Sequence, residues 1–250
     1  MKFALVNGQR REAAPLLVGE CVVCGYRVIS RCGQVRVHHW AHQAKRRCDE
    51  WWEAETLWHR DWKNKFPSAW QEVVHKAENG EHHIADVKTA HGNVIEFQHS
   101  FIGADERLSR EGFYQRLTWV VDGLRNTRTR SLFYKALEIA GSHRRCSKLR
   151  VIHSSELKLF EMWGDSIAHV IFDMGEETLW WLFPESNRSW SYFTSIDRTS
   201  FIDMHLQSDP SELNGFIEKF RRLLVARGNW PSLQDYSFFS DPVLQASQLR

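Results

Sequence analysis

Apolar and polar residues alternate with two different periods along this chain, and the switches between them outline its expected elements. In VIEFQHSF, residues 94 to 101, the period is two: Glu96, Gln98 and Ser100 share one face of a strand, Ile95 and Phe97 the other. Residues 70 to 100 as a whole read as short strands parted by the polar turns ENGE and AHGN. Residues 50 to 66 read as a helix whose stripe holds Trp51, Glu55, Trp58 and Trp62. An acid thus sits on an otherwise aromatic face, with His59 and Lys63 at the following turns. Downstream come a helical stretch from Glu106 to about Arg116, the apolar run LTWVV, a second helical stretch over 129 to 141, and LRVIH at 149 to 153. The two apolar runs suit strands buried on both faces, so the middle of the chain is an α/β layer. Beyond it, LFEMWGDSIAHVIFDMGEETLWWLFP and SWSYFTSIDRTSFIDMHL alternate around turn signals and predict antiparallel strands. In SELNGFIEKFRRLLVAR, Ser211 is a plausible N-cap and Leu213, Phe216, Phe220, Leu223 and Leu224 form a helical stripe; the tail after Gly228 looks irregular.

These elements predict three divisions: a small module over 1–49, an α/β domain over 50–153, and a β-rich region with a terminal helix over 154–250. Length and composition agree with a folded protein, since 250 residues with 42% hydrophobic content and twelve tryptophans leave ample surface to bury. The opening MKFALVNGQRREAAPLLVGE has too short an apolar run for a secretory signal, and no run of about 18 apolar residues follows, so a cytoplasmic location without membrane contact is expected. Five cysteines, an odd count, then point to metal ligation or free thiols rather than disulfides. The net charge of +2 hides an uneven distribution. Residues 107 to 150 hold eleven Lys/Arg against Glu111, Asp122 and Glu138, whereas 151 to 250 hold eight basic residues against fourteen acidic ones. The basic middle could follow a phosphate backbone or form a solvated arginine-rich face.

Cys21 and Cys24 form a C-x2-C pair, and VRVHHWAH supplies His39 and His42 after fourteen intervening residues. Four ligands in two close pairs are what a closed tetrahedral Zn²⁺ site requires. Cys48, separated from His42 by five intervening residues, is an alternative to one histidine, with His38 and Cys32 as weaker substitutes. No thioredoxin-like βαβ pattern surrounds the pair, which argues against a redox role. Four protein ligands leave no position for a catalytic water, so the site is expected to be structural and the chemistry to lie elsewhere.

Asp86 ends one expected strand and Glu96 lies in the next, with nine residues between them including the turn TAHGN. Two carboxylates brought side by side repel unless protonated or bridged by a cation. A few hard oxygen donors suit Mg²⁺ or Mn²⁺, which keep waters and accept phosphate oxygens, so a phosphodiester is the natural substrate.

An Asp on one strand, E-x-K on the next and a Glu on a preceding helix is the pattern of PD-(D/E)XK nucleases, which this chain resembles through Glu55, Asp86 and Glu96-Phe97-Gln98. In order, HHWAH, ETLWHRDWK, IADV, IEFQHSFI, an arginine-rich helix with Tyr114, and LTWVVDG resemble the competence protein CoiA-like family across roughly residues 20 to 125. The resemblance implies an α/β restriction-endonuclease-like core behind an N-terminal zinc-ribbon-like module. The mainly β C-terminal region ending in a helix lies outside it. The implied function is a metal-dependent nuclease, most naturally of DNA, in competence, recombination or defence, with protein partners in those processes.

On that reading Asp86, Glu96 and the Phe97 carbonyl hold Mg²⁺ or Mn²⁺, Glu55 serves a second ion or a metal-bound water, and Gln98 orients the water. Gln98 departs from the usual lysine, and an amide cannot bring positive charge to the attacking water or the phosphate. Lys63, Arg107, Arg110 and Arg116 are expected to hold the nucleic-acid backbone, with His59, Ser100 and Tyr114 as further candidates. The same fold without effective catalysis would be a DNA-binding adaptor, which is the alternative.

Overall fold

The computed structural model describes residues 1–43, 48–49, 51, 55–77, 80–143 and 146–225. The tail after Gly228 lies outside them. The protein is mixed α/β, with strands in two β-sheets and six α-helices among the described residues. It divides into two compact units, Met1–Ile102 with Phe113–Thr118, and Gly103–Gly112 with the residues from Trp119 onward. Among the described residues no helix is long and apolar enough to cross a membrane.

The first unit opens with strands β1 (Phe3–Val6) and β2 (Gln9–Glu12). Asn7 and Gly8 between them both have positive φ, 51° and 74°, the two-residue turn whose twist matches its flanking strands. Strands β3 (Val18–Glu20), β4 (Arg27–Arg31) and β5 (His39–His42) complete a sheet of order β2-β1-β3-β4-β5. Gly19 is needed where β3 meets β1, because a Cβ there would lie 2.6 Å from the Leu5 carbonyl oxygen. Met1, Ala4, Val28 and Trp40 are buried together against Cys21, so this module has its own small core and begins well before the cysteines.

Helix α1 (Leu57–Lys63) lies within the expected 50–66, of which residues 50 and 52–54 fall outside the described residues. Thr56 caps it: its hydroxyl accepts the His59 N–H at 3.3 Å while the His59 ring faces the Thr56 N–H at 3.4 Å. That reciprocal cap starts the helix at Leu57 and leaves Glu55 ahead of it, off the aromatic stripe. Strands β6 (Gln71–Lys76), β7 (His82–Lys88) and β8 (Val94–Gln98) follow as antiparallel neighbours. Trp62 stacks on Phe97 and is core, and the half-buried Trp58 meets Phe97 edge-on. All five residues of β8 are buried, so the row of Glu96 and Gln98 is no solvated face.

The second unit holds α2 (Ala104–Phe113), β9 (Leu117–Asp122), α3 (Thr127–Ile139), β10 (Gly141–His143) and β11 (Cys146–His153). It continues through α4 (Lys158–Trp163), β12 (His169–Asp173), β13 (Thr178–Leu182), β14 (Trp190–Asp197), α5 (Arg198–Leu206) and α6 (Ser211–Val225). Its strands run in the order β10-β11-β14-β13-β12-β9. Phe133, Phe160, Phe172 and Phe193 are fully buried, and the α6 stripe lands where its pattern predicts, with Phe216 on Trp181 and Phe220 on Phe183.

Candidate metal centre and carboxylate site

Cys21, Cys24, His42 and Cys48 offer ligand atoms that all lie within 4.8 Å of one another, close enough to hold a metal ion such as zinc. The Cys21 and Cys48 sulfurs are 3.7 Å apart, and the Cys24 sulfur is 3.3 Å from His42 Nε2. A tetrahedron with metal–sulfur distances of about 2.3 Å has sulfur–sulfur edges of roughly 3.8 Å, so the spacing fits zinc. In the protein alone burial, and then the neighbouring Cys21 and Cys24, push the Cys48 thiol up to about 12. A divalent cation reverses that balance by stabilising thiolates.

His39 is not in this group, and the H-x2-H reading is corrected to His42 with Cys48. Both histidines lie in β5, and residues three apart on a strand point to opposite faces. His42 pairs across the ladder with buried Val28, whereas His39 pairs with exposed Arg31 and turns its Nδ1 to the Val37 carbonyl at 2.9 Å. Next to Cys48, buried Asp49 grips β7: its carboxylate meets His83 Nδ1 at 2.8 Å and accepts the Ile84 N–H at 2.8 Å. Trp51 stacks on the same His83. The metal-ligand segment is thereby fastened to the strand that carries Asp86.

The second constellation runs across three strands. The register Gln71↔Val87 and Val73↔Ala85 leaves Glu72 opposite Asp86, and Val87↔Ile95 sets Asp86 opposite Glu96. Asp86 and Glu96 are interlocked: Glu96 Oε1 accepts the Asp86 N–H at 3.1 Å, and Asp86 Oδ2 accepts the Phe97 N–H at 3.0 Å. Sequence reasoning missed Glu72, which no alternation marks, because its backbone sits at φ 46° in the left-handed region. That conformation costs on the order of 1–3 kcal/mol in a non-glycine residue and persists only where surroundings enforce it. Here the Glu72 carboxylate accepts the backbone N–H groups of Lys2 at 2.7 Å and Phe3 at 3.1 Å, bolting the N-terminal strand to β6.

Lys63 is the hub. Its buried ammonium lies 2.8 Å from Glu55, 3.0 Å from Glu72 and 3.7 Å from Asp86. Burial works against this charge, but Glu72, Asp86 and Glu55 outweigh it and raise the Lys63 pKa above its ordinary value. For Glu72 burial again opposes ionisation, yet Lys63, the chain N-terminus and the Lys2 N–H hold the carboxyl at about 2. Glu55 is likewise held below its usual value: burial is outweighed by Lys63 and by Arg60, which grips both carboxylate oxygens at 2.9 and 2.7 Å.

Other expected site residues are redirected. Lys63 is enclosed by carboxylates and is no backbone-phosphate contact. Arg107 and Arg110 are buried too. Arg107 pairs with Glu111 at 3.0 Å and with Asp165, while Arg110 pairs with Glu106 at 2.5 Å. Glu111 also accepts Trp119 Nε1 and the Ser166 hydroxyl, so Arg107 serves a packed network. Arg116 alone of the four is exposed. Gln98 donates its amide to the Ser100 carbonyl at 3.1 Å, Ser100 itself is exposed, His59 belongs to the α1 cap, and Tyr114 is buried against Trp51, His75 and Phe113.

Comparison of the chain with protein families, with curated proteins and with solved structures finds no match in any of the three.

Proposed function

We propose that this chain is a divalent-metal-dependent nuclease that hydrolyses phosphodiester bonds, with DNA as its substrate. The observation that carries the reading is the interlocked pair Asp86 and Glu96 on adjacent strands beside a buried ammonium. Its likeness to the PD-(D/E)XK and CoiA-like pattern points the same way. Asp86, Glu96 and the Phe97 carbonyl are the residues to hold one Mg²⁺ or Mn²⁺, which when bound supplies a water of lowered pKa and offsets charge building on the phosphate. Glu55 does not suit a second ion, since Arg60 and Lys63 occupy both its oxygens. Lys63 places its positive charge 3.7 Å from Asp86, a charge that the neutral Gln98 does not supply. Gln98 orients the attacking water through its amide. Cys21, Cys24, His42 and Cys48 hold a structural Zn²⁺, and a reducing cytoplasm suits such a ligand set.

A DNA-binding adaptor is the second reading. It is favoured by the neutral Gln98 and by Lys63 being shared among three carboxylates. One assay separates the two. Purified protein is incubated with linear, circular and single-stranded DNA and with RNA in Mg²⁺ or Mn²⁺, beside Asp86→Ala and Glu96→Ala. Cleavage lost in both variants supports the nuclease; cleavage that persists in both sinks the proposed site; binding without cleavage by the wild-type protein selects the adaptor.

A further inference from the structure

We propose that the outer face of β3-β4-β5 is the surface on which the nucleic-acid phosphate backbone docks. The inference rests on the nucleic-acid reading above and names the surface that reading lacks, because Lys63, Arg107 and Arg110 are buried in ion pairs. Residues 1 to 43 carry six Lys/Arg against Glu12 and Glu20, so this module is distinctly basic. Strand alternation and register sort the charge. Val28 and Trp40 point inward and are buried, whereas Arg27 and Arg31 point outward and are exposed, with Arg36 exposed in the following loop. Among the described residues none of these three arginines has an ion-pair partner.

The geometry suits a repeating polyanion. Arg27 and Arg31 are four residues apart on one strand, about 13 Å, so the two charges can meet separate phosphates of one backbone. Between them the ladder sets a neutral row, Val18, Ile29 and Ala41, while the register also sets the exposed Glu20 of β3 opposite Arg27, so the basic excess of this face is carried towards Arg31 and Arg36. His39, excluded from the metal group, lies opposite Arg31 on this face and adds a hydrogen-bonding ring. A phosphate backbone meets such a surface by releasing counterions, without base readout.

The test is fluorescence anisotropy of a labelled 30-base-pair duplex against salt, with no divalent ion added, for wild type and Arg27→Gln/Arg31→Gln/Arg36→Gln. Losing three phosphate contacts lowers the slope of log K against log salt by about 2.7 and weakens binding on the order of 100-fold at 0.15 M salt. The Arg→Lys triple keeps both. Lys158→Gln/Arg188→Gln/Arg222→Gln removes as much charge from side chains 79%, 86% and 78% exposed in the second unit, and is expected to keep the slope. A Gln triple that melts like wild type and binds with unchanged slope overturns the docking face while leaving the nuclease reading standing, as does an equal loss in the control triple. Wild-type protein that binds no DNA or RNA overturns the nucleic-acid reading itself and this surface with it.

Discussion

Replacing Lys63 by Met withdraws the one ammonium that Glu55, Glu72 and Asp86 share and leaves their charges buried. Two routes give the size of the loss. The Glu72 carboxyl is held at about 2 against an ordinary 4.5, and at about 1.4 kcal/mol per unit that difference amounts to about 3–4 kcal/mol, of which Lys63, the largest favourable contributor, supplies the greater part. Breaking one side of a buried ion pair costs about 3–5 kcal/mol in general. The pH dependence has a definite sign. Because the folded pKa of Glu72 is depressed, its contribution is complete above about 4.5 and is lost as pH falls towards 2. The raised pKa of Lys63 means its own contribution is present at all lower pH and declines only above its ordinary 10.5. Urea denaturation followed by circular dichroism therefore shows Lys63→Met about 3 kcal/mol less stable at pH 7, with the gap roughly halved by pH 3. Glu72→Gln in the Lys63→Met background recovers part of the loss. A deficit below about 1 kcal/mol, the range of an exposed pair, or one that ignores pH, refutes the buried-hub account.

Metal analysis of purified protein is expected to find one zinc per chain, lost in Cys21→Ser and Cys48→Ser and retained in His39→Ala; loss in His39→Ala would restore the H-x2-H assignment. Asp49→Asn weakens the grip on His83 and Ile84 and costs about 1–3 kcal/mol in the same denaturation measurement, whereas an unchanged midpoint would show the fastening of Cys48 to β7 to be dispensable. In the second unit Glu111→Ala strands buried Arg107 and is expected to cost about 3–5 kcal/mol, while Glu218→Ala, whose partner Arg222 is itself exposed, leaves the midpoint nearly unchanged; equal effects would contradict the burial argument.

Much of this could be read from the chain. Continuous apolar runs placed β9 and β11, the 3.6-residue stripe placed α6, and alternation with polar turns placed β7 and β8 with Asp86 and Glu96 facing each other. What escaped has local physical causes. Thr56 is a stronger start signal than the tryptophan stripe is a continuation signal, so Glu55 fell outside the helix it was expected to join. The Asn7-Gly8 pair is a hairpin signal strong enough to have placed β1 and β2 from the sequence. The spacing of His39 and His42 suited a loop but not a strand, where an odd offset divides the pair between faces. Glu72 was invisible to pattern reading because its left-handed backbone breaks the alternation that would have marked it. Arginines with helical spacing look alike whether solvated or buried, and only the acidic partners Glu111 and Asp165 reveal that Arg107 is buried.

On the proposed nuclease reading Asp86 and Glu96 form the reacting centre, while Glu55 belongs to the Lys63 network. Initial rates of labelled-DNA cleavage in Mn²⁺ for Asp86→Asn, Glu96→Gln and Glu55→Gln test it most directly. The account predicts cleavage abolished in the first two and a measurable rate in Glu55→Gln at a temperature where that variant is folded. Cleavage surviving in Asp86→Asn and Glu96→Gln, with Glu55→Gln the inactive one, would contradict it.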